Sequence, residues 1–472
     1  MVGQREHFCF GFCLGVADVR FWREICTFCL IGAFLDPVAA LAQSAVPPDS
    51  LGIAEPSIAT SFLHHGDASG IRKRLFDSGF SYSLIYTNDL LSNLSGGTRR
   101  GTIDQGKLET QITVDLGKFV GWQDYTLYAN TFATHNTGRM RRDYVGGLNT
   151  IAAIEANPSV RLSELWVERK FWGGAASLRV GQLVADNEFF FSDLSNMFMQ
   201  TDWPTITAVN LPGGAPAYPL STPGARLRLD VNRDTTLLLS IFNGDPAGPC
   251  AGDPDTCNRY GLNFRMRDPA FMIGEAQFRA NQGKEDTGLA RTLKIGAWNH
   301  IGQFGDQRVA NDGTLLANPA GSGRPLLYRG DYGVYGVVEQ QIYRPRGGAA
   351  DSGVLLFGLA SVTPSDRNMI SAQLNGGIIF AGLIPGRPND RLGASVVYSR
   401  FSSGARAFDQ DVINITGVPG NVRDYEANLE LAYVAQIVPG WTVQPDFQYV
   451  RHPNGQAGRD AKVLGVRTMV RF

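Results

Sequence analysis

The residues best suited to chemistry in this chain of 472 residues are charges set in runs that otherwise alternate with apolar side chains. Glu164 and Glu168 bracket Leu165, Trp166 and Val167. Arg179 stands between Leu178 and Val180, and Arg226 and Arg228 flank Leu227. Two carboxylates could serve as the acid and base of a glycosidase. On an extended strand, residues four apart are separated by about 13 Å, beyond the usual catalytic spacing. Histidine offers no better start. The six histidines lie at 7, 64, 65, 135, 300 and 452, with no nucleophile motif around them. No nucleophile elbow, H-E-x-x-H, phosphate loop or dinucleotide fingerprint occurs. The chain is expected to be no enzyme and to carry no cofactor or metal. Opposite charges on one face of a sheet can instead line water, orient it and compete for the hydroxyl groups of a solute.

A second set of residues lies in Ala185–Thr222, which carries Asp186, Glu188, Phe189, Phe190, Phe191, Phe198 and Trp203. Sugar rings present flat C–H faces to aromatic side chains and hydroxyls to charged groups. An acidic, aromatic loop opposite inward arginines therefore suits a sugar. The aromatics Phe189, Phe190, Phe191 and Trp203 are candidates for stacking. Anchoring of the loop to an inner wall explains Phe189–Phe191 equally well. Glu275, Gln277, Glu339, Glu426 and Glu430 are lower-ranked candidates for the same wet face.

These residues need a frame that turns one face to water and the other to something apolar. Charged residues make up 18% and aromatics 10%, with 55 glycines. The charge is low for a soluble enzyme, and the mean hydropathy of -0.11 is too polar for a helical membrane protein. From Phe80 onward, about 17 segments alternate apolar with polar or small residues, which is the period of strands. Ile112 and Val114 alternate with Gln111 and Thr113, and Leu429 and Leu431 with Asn428 and Glu430. So many strands need closure to remove their edges. The expected fold is an all-β transmembrane antiparallel barrel of sixteen strands, with eighteen as the alternative, because termini on one side require an even number. The stretch between Asp234 and His300 is where the up-and-down alternation disagrees. Short turns at Trp172-Gly173-Gly174, Asn232-Arg233 and Pro439-Gly440 contrast with long connections over Thr134–Val160, Ala185–Thr222, Ile301–Arg329 and Phe401–Arg423. Short turns on the periplasmic side, long loops outside and one loop folded into the lumen are the expected pattern. Tyr82, Tyr86, Tyr433 and Tyr449 read as an aromatic girdle at the headgroups.

Residues 1–42 read as a Sec signal peptide: an apolar stretch from Ile25 to Leu35, then Ala40-Leu41-Ala42. Residues 43–78 read as a periplasmic linker with a short helix over Ile71–Ser78, and 79–472 as the barrel. Four of the six cysteines fall in the discarded segment. Cys250 and Cys257 remain, and an oxidising periplasm predicts a disulfide between them. The net charge of -1 gives no sign of nucleic-acid binding. The arginines of Arg139–Arg142 read as a solvated loop. Phe472 ends a last strand that carries Val466, Thr468 and Val470 on one face, the addressing feature expected to be read by barrel-assembly machinery.

The chain resembles the carbohydrate-selective porins, the OprB family, over roughly Gly70 to Phe472. The matching residues are the Arg72–Gly79 helix, Phe80-SYSLIYTNDLLSN, Leu178-RVGQLVADNEF, Cys257-NRYGLNF, Leu293-KIGAW and, most specifically, Asp424-YEANLELAYVAQIVPGWTVQPDFQYVRHPNG with Gly465-VR and Phe472. The resemblance implies a sixteen-stranded outer-membrane porin that admits carbohydrates, glucose-like monosaccharides in particular, without cofactor or catalysis. Outer-membrane lipid and carbohydrate solutes are the implied partners, with the protein acting as a monomer or homotrimer. The pore-lining set expected on these grounds is Glu164, Glu168, Arg179, Asp186, Glu188, Arg226 and Arg228.

Overall fold

A computed structural model of the protein describes residues 51–201, 204–250, 252–283 and 286–472. The expected signal peptide lies outside the described residues. Sixteen strands follow in order. The first four are β1 (Phe80–Ser95), β2 (Gly101–Asp115), β3 (Tyr125–Asn136) and β4 (Ser159–Phe171). Next come β5 (Ala176–Leu183), β6 (Thr222–Asn232), β7 (Thr235–Asn243) and β8 (Ala270–Ala280). Then follow β9 (Arg291–Ala310), β10 (Pro325–Tyr343), β11 (Gly353–Val362) and β12 (Ile370–Ala381). The last four are β13 (Arg391–Phe401), β14 (Tyr425–Val438), β15 (Trp441–Arg451) and β16 (Ala461–Arg471). Each strand pairs antiparallel with its neighbours in sequence, and β1 pairs with β16 to close the barrel. Closure satisfies the backbone groups that an open edge would leave bare in a bilayer.

Alternation decides which side chains face out. On β9, Thr292 and Lys294 are buried inside while Leu293 and Ile295 are exposed outward. Asp234–His300 resolves into β7, a long connection over 244–269, β8 and the start of β9. The rim that carries both termini has the short turns. At Trp172–Gly174 the turn is made by positive φ at three successive residues, of which Gly173 and Gly174 adopt it without a steric penalty. The opposite rim has the long connections, one of which departs from expectation. Most of Ile301–Arg329 is strand, because β9 and β10 run on to Ala310 and from Pro325, leaving a connection of only 311–324. The Phe401–Arg423 connection contains a helix, Ser403–Thr416, capped by the Ser402 hydroxyl. Arg308 of β9 holds this helix through Asp411 at 2.6 Å.

Residues 51–78 of the segment read as a linker are docked along the terminal rim. They make a short helix, Ile71–Asp77. Arg72 of this helix is buried, and its guanidinium lies over the rings of Tyr82 and Phe472 at 4.5 and 5.1 Å. The Ser57 hydroxyl donates to the Arg471 carbonyl at 3.4 Å.

Two connections fold inward against the lumen wall. The β5–β6 loop, 184–221, crosses the lumen and presses its short helix Thr205–Asn210 on β12, where the Ile206 N–H donates to Gln373 at 2.9 Å. The β3–β4 loop, 137–158, also enters. Its Ala153 N–H donates to the Met199 carbonyl of the other loop at 2.8 Å.

Candidate functional site

The wall of the site comes from three adjacent strands. Leu165 and Val167 of β4 face outward, so Glu164, Trp166 and Glu168 face the interior. Register places Glu168 opposite Arg179 on β5, and Arg179 opposite Arg226 on β6. Two like charges side by side would repel, so each needs an anion. Glu168 supplies one, accepting from Arg179 and Arg226 at 3.1 Å each. Glu188, from the inward loop, supplies the other at 2.8 Å from Arg179 and 3.0 Å from Arg226. Arg226 also donates to the Ser177 hydroxyl at 2.7 Å. The Arg179 guanidinium lies 3.8 Å from the Trp166 ring centre, and Trp166 stacks on Tyr128 at 4.8 Å. The cluster carries two positive and two negative charges.

Beside it lies a cavity of about 410 Å³. Lys107 and Glu109 of β2 line it, 3.1 Å apart. Glu109 also accepts from Asn130 at 2.9 Å. The Lys107 ammonium sits 4.6 Å from the Phe132 ring and 5.0 Å from the Tyr218 ring. Phe191, Asp186 and Asp193 complete the lining from the loop. The arrangement offers flat apolar faces beside paired charges and amides, which is what a ring bearing hydroxyl groups requires.

The predicted residues take different places. Glu168, Arg179, Glu188 and Arg226 come together. Glu164 is buried and accepts from Asn187 at 3.0 Å. Asp186 stands half-buried in the cavity wall and accepts from the Tyr218 N–H at 2.7 Å. Burial lifts its carboxyl to about 6, against the pull of that hydrogen bond. Arg228 lies nearer the terminal rim and pairs with Asp230 at 3.0 Å. Phe189 and Phe190 cannot stack a solute. Each is 1% exposed, and Phe190 lies flat on Tyr335 at 3.9 Å. They anchor the loop, because the low-lying chain turns them into the wall. Phe191 does reach the cavity, and Lys294 lies 4.2 Å from its ring. Trp203 falls outside the described residues.

Lys107, Glu109, Asn130, Phe132 and Tyr218 were not singled out from sequence. Lys107 and Glu109 carry the same signal as Glu168, since they flank Leu108 on a strand. Extending the alternation of Gln111 and Thr113 backward along β2 would have found them.

The wall glutamates have their own task. Glu339 accepts from the Ser192 hydroxyl at 2.5 Å and the Leu194 N–H at 3.2 Å. Glu430 accepts from the Met199 and Gln200 N–H groups at 2.6 and 2.9 Å. Glu275 accepts from the Phe190 N–H and the Tyr335 hydroxyl at 2.9 and 2.8 Å. Glu426 takes the N–H groups of Leu148, Asn149 and Asn454 at 2.7, 2.6 and 2.6 Å. They face inward, yet they hold loops rather than line open water.

The histidines near the barrel are taken up by local contacts. His135 meets the Tyr86 hydroxyl at 3.0 Å, His300 the Gly244 carbonyl at 3.0 Å, and His452 the Asp424 carboxylate at 3.1 Å.

Cys250 and Cys257 are joined, and the loop they close carries Asp253. Asp253 accepts from Arg139 at 2.6 Å, from Asn157 at 3.1 Å and from Arg142. Arg139 and Arg142 are thus clamped to the neighbouring loop, while Arg142 stays exposed as a solvated loop residue would. Burial works to raise the Asp253 carboxyl, but the Arg139 and Asn157 hydrogen bonds outweigh it and hold it down at about 2, against an ordinary 3.8. A lowered value means the clamp is whole above pH 4 and fades as pH falls toward 2. Asp253→Asn should make both loops more open to protease at pH 7 while the barrel keeps its heat resistance. Unchanged loop cleavage would show that the clamp contributes nothing.

The model of the family "Carbohydrate-selective porin, OprB family" matches residues 99–472. Porin B of Pseudomonas aeruginosa is 23% identical over 433 residues, covering 86% of this chain and 90% of its own. The high-pH structure of Pseudomonas putida OprB shares the fold with a TM-score of 0.75 at 20% identity, over 86% of this chain and 98% of its own. The low-pH structure of the same protein gives 0.52 at 18% identity, over 86% and 97%. With a closed barrel of sixteen strands, a lumen narrowed by an inward loop and a family model spanning most of its length, the chain belongs to the carbohydrate-selective porins of the OprB family.

Proposed function

We propose that the protein passes neutral monosaccharides of the glucose type through its lumen, within its role as a carbohydrate-selective outer-membrane porin. The observation that carries this reading is the balanced cluster of Glu168, Arg179, Glu188 and Arg226 beside a cavity walled by Phe132, Phe191 and Tyr218. A balanced cluster favours no ion, yet its edges offer donors and acceptors to hydroxyls. The protein is a channel rather than an enzyme, and the glycosidase reading of Glu164 and Glu168 has no support in their separate partners.

In the same reading, residues 1–42 direct export and are removed. The rim carrying the termini faces the periplasm, and the last strand with Phe472 is read by the barrel-assembly machinery. Liposome swelling with the refolded protein lacking residues 1–42 tests the solute. Swelling should be fastest with glucose, slower with a smaller neutral amino acid and slowest with a large oligosaccharide. Rates that follow size alone would remove the sugar preference, and no swelling by a folded barrel would sink the channel reading.

A further inference from the structure

We propose that the outer wall over β7–β13 is a binding groove for a phosphorylated, acylated lipid of the leaflet at the long-loop side, with its phosphate on Arg400 and an acyl chain along the wall.

The groove has a volume of about 880 Å³ and an almost wholly apolar lining. Hydrogen-bonded register links Leu239, Gly274, Ala297, Val334, Val362, Ala372 and Arg400 in one row across seven strands. Six strand spacings give that row a length of about 29 Å. Strands of a barrel are tilted, so the row climbs obliquely across the bilayer. Its low end is Leu239, in the middle of β7. Its high end is Arg400, next to the last residue of β13 at the long-loop rim.

Small residues form the floor, and the exposed Leu239, Ile295, Val334 and Leu374 stand at its sides. At Gly274 a Cβ would press on Leu239 Cδ2 at 2.9 Å, but at Gly336 the floor is not forced by the barrel's own packing. A Cβ added at Gly336 would meet only the Lys294 carbonyl, at 3.8 Å, which is an ordinary contact. The space it would fill is therefore left to a neighbour outside the chain. In a bilayer the apolar occupant is an acyl chain.

Arg400 gives the occupant its headgroup. It is exposed on the outward face and makes no ion pair or side-chain hydrogen bond among the described residues. Tyr398, two residues below it, lines the groove and stacks on Tyr425 at 5.2 Å. Arg451 and Lys462 are exposed on the outward face of β15 and β16, with the Asp460 carboxylate beside Arg451. A cation where apolar wall meets water complements a phosphate at headgroup depth.

Native mass spectrometry of the delipidated protein with hexa-acyl lipid A phosphorylated at both ends tests this. Dephosphorylated lipid A and phosphatidylglycerol are the comparison probes. The expected result is one retained lipid A per barrel, with retention falling at least tenfold for the dephosphorylated form, for Arg400→Gln and for Gly336→Leu. Heat-modifiable mobility checks that each variant is folded, and glucose swelling should be unchanged in both. Equal retention in the variants, or no retention by the wild type, would overturn the proposal. So would protein dimers or trimers that Gly336→Leu dissociates, since the occupant would then be a second copy of this chain.

Discussion

Replacing Glu339 and Glu430 together by alanine should raise single-channel conductance several-fold and abolish the preference for sugar, while the barrel stays folded. The two carboxylates accept four hydrogen bonds from the β5–β6 loop, at 2.5, 3.2, 2.6 and 2.9 Å. Hydrogen bonds to a charged group are worth roughly 1.5–3 kcal/mol each. Alanine also strands the buried N–H groups of Met199 and Gln200 with no acceptor. The ends of the loop keep their anchors at Glu188 and Ile206, but the 192–200 stretch loses the acceptors for its desolvated backbone, so that stretch should swing out. Between the two anchors lie Asp193 and Asn196, which line the cavity, so moving them widens the path. Glutamine at both positions keeps an acceptor and should restore most of the discrimination. Planar-bilayer recordings with glucose as a blocker read both quantities. Unchanged conductance and unchanged block in a folded double variant would mean that the loop is held by its apolar contacts, chiefly Phe190 on Tyr335 at 3.9 Å and Phe198 on Phe357 at 5.8 Å.

The barrel and half of the site were legible because a lipid-facing wall enforces period two. Wherever one face meets acyl chains, a charge can point only inward, and Glu168, Arg179 and Arg226 could be assigned to the lumen from their neighbours alone. The same rule failed above the bilayer. In the upper part of β9, beyond a register shift, Gln303, Gly305 and Gln307 stand where apolar residues would continue the pattern, so the apolar alternation vanishes and the stretch reads as loop although it is strand. The fate of the wall glutamates was not legible at all. Glu426 is satisfied by N–H groups of Leu148 and Asn149, 278 and 277 residues away. Nothing local to Glu426 distinguishes it from a carboxylate that lines open water. Phe189 to Phe191 show the same limit, because three consecutive rings look alike in sequence, while the loop's path turns two into the wall and one into the cavity. The clamp of Asp253 on Arg139, 114 residues apart, likewise depends on where two loops meet.

Arg226→Ala and Glu188→Gln should move ion selectivity in opposite directions, each with a loss of sugar flux. Arg226 is 3% exposed and bridges Glu168 and Glu188, at 3.1 and 3.0 Å. Without it, the two carboxylates share Arg179 alone, and the cluster changes from balanced to one net negative charge. Removing one partner of a buried pair costs about 3–5 kcal/mol in general, so Glu188 and the loop that carries it should be drawn away from the wall. Cations then gain at the constriction, and the reversal potential in a potassium chloride gradient should shift toward that of potassium. Glu188→Gln does the reverse, leaving one net positive charge and a shift toward chloride. Both variants lose the paired donors and acceptors that the proposed function assigns to hydroxyls, so block by glucose should weaken in each. The opposite signs separate a charge effect from simple loosening, which would raise conductance in both without splitting the reversal potentials. Shifts of the same sign, or none, in folded barrels would place the narrowest point elsewhere, at Lys107 and Glu109, where Lys107→Met should then carry the large shift instead.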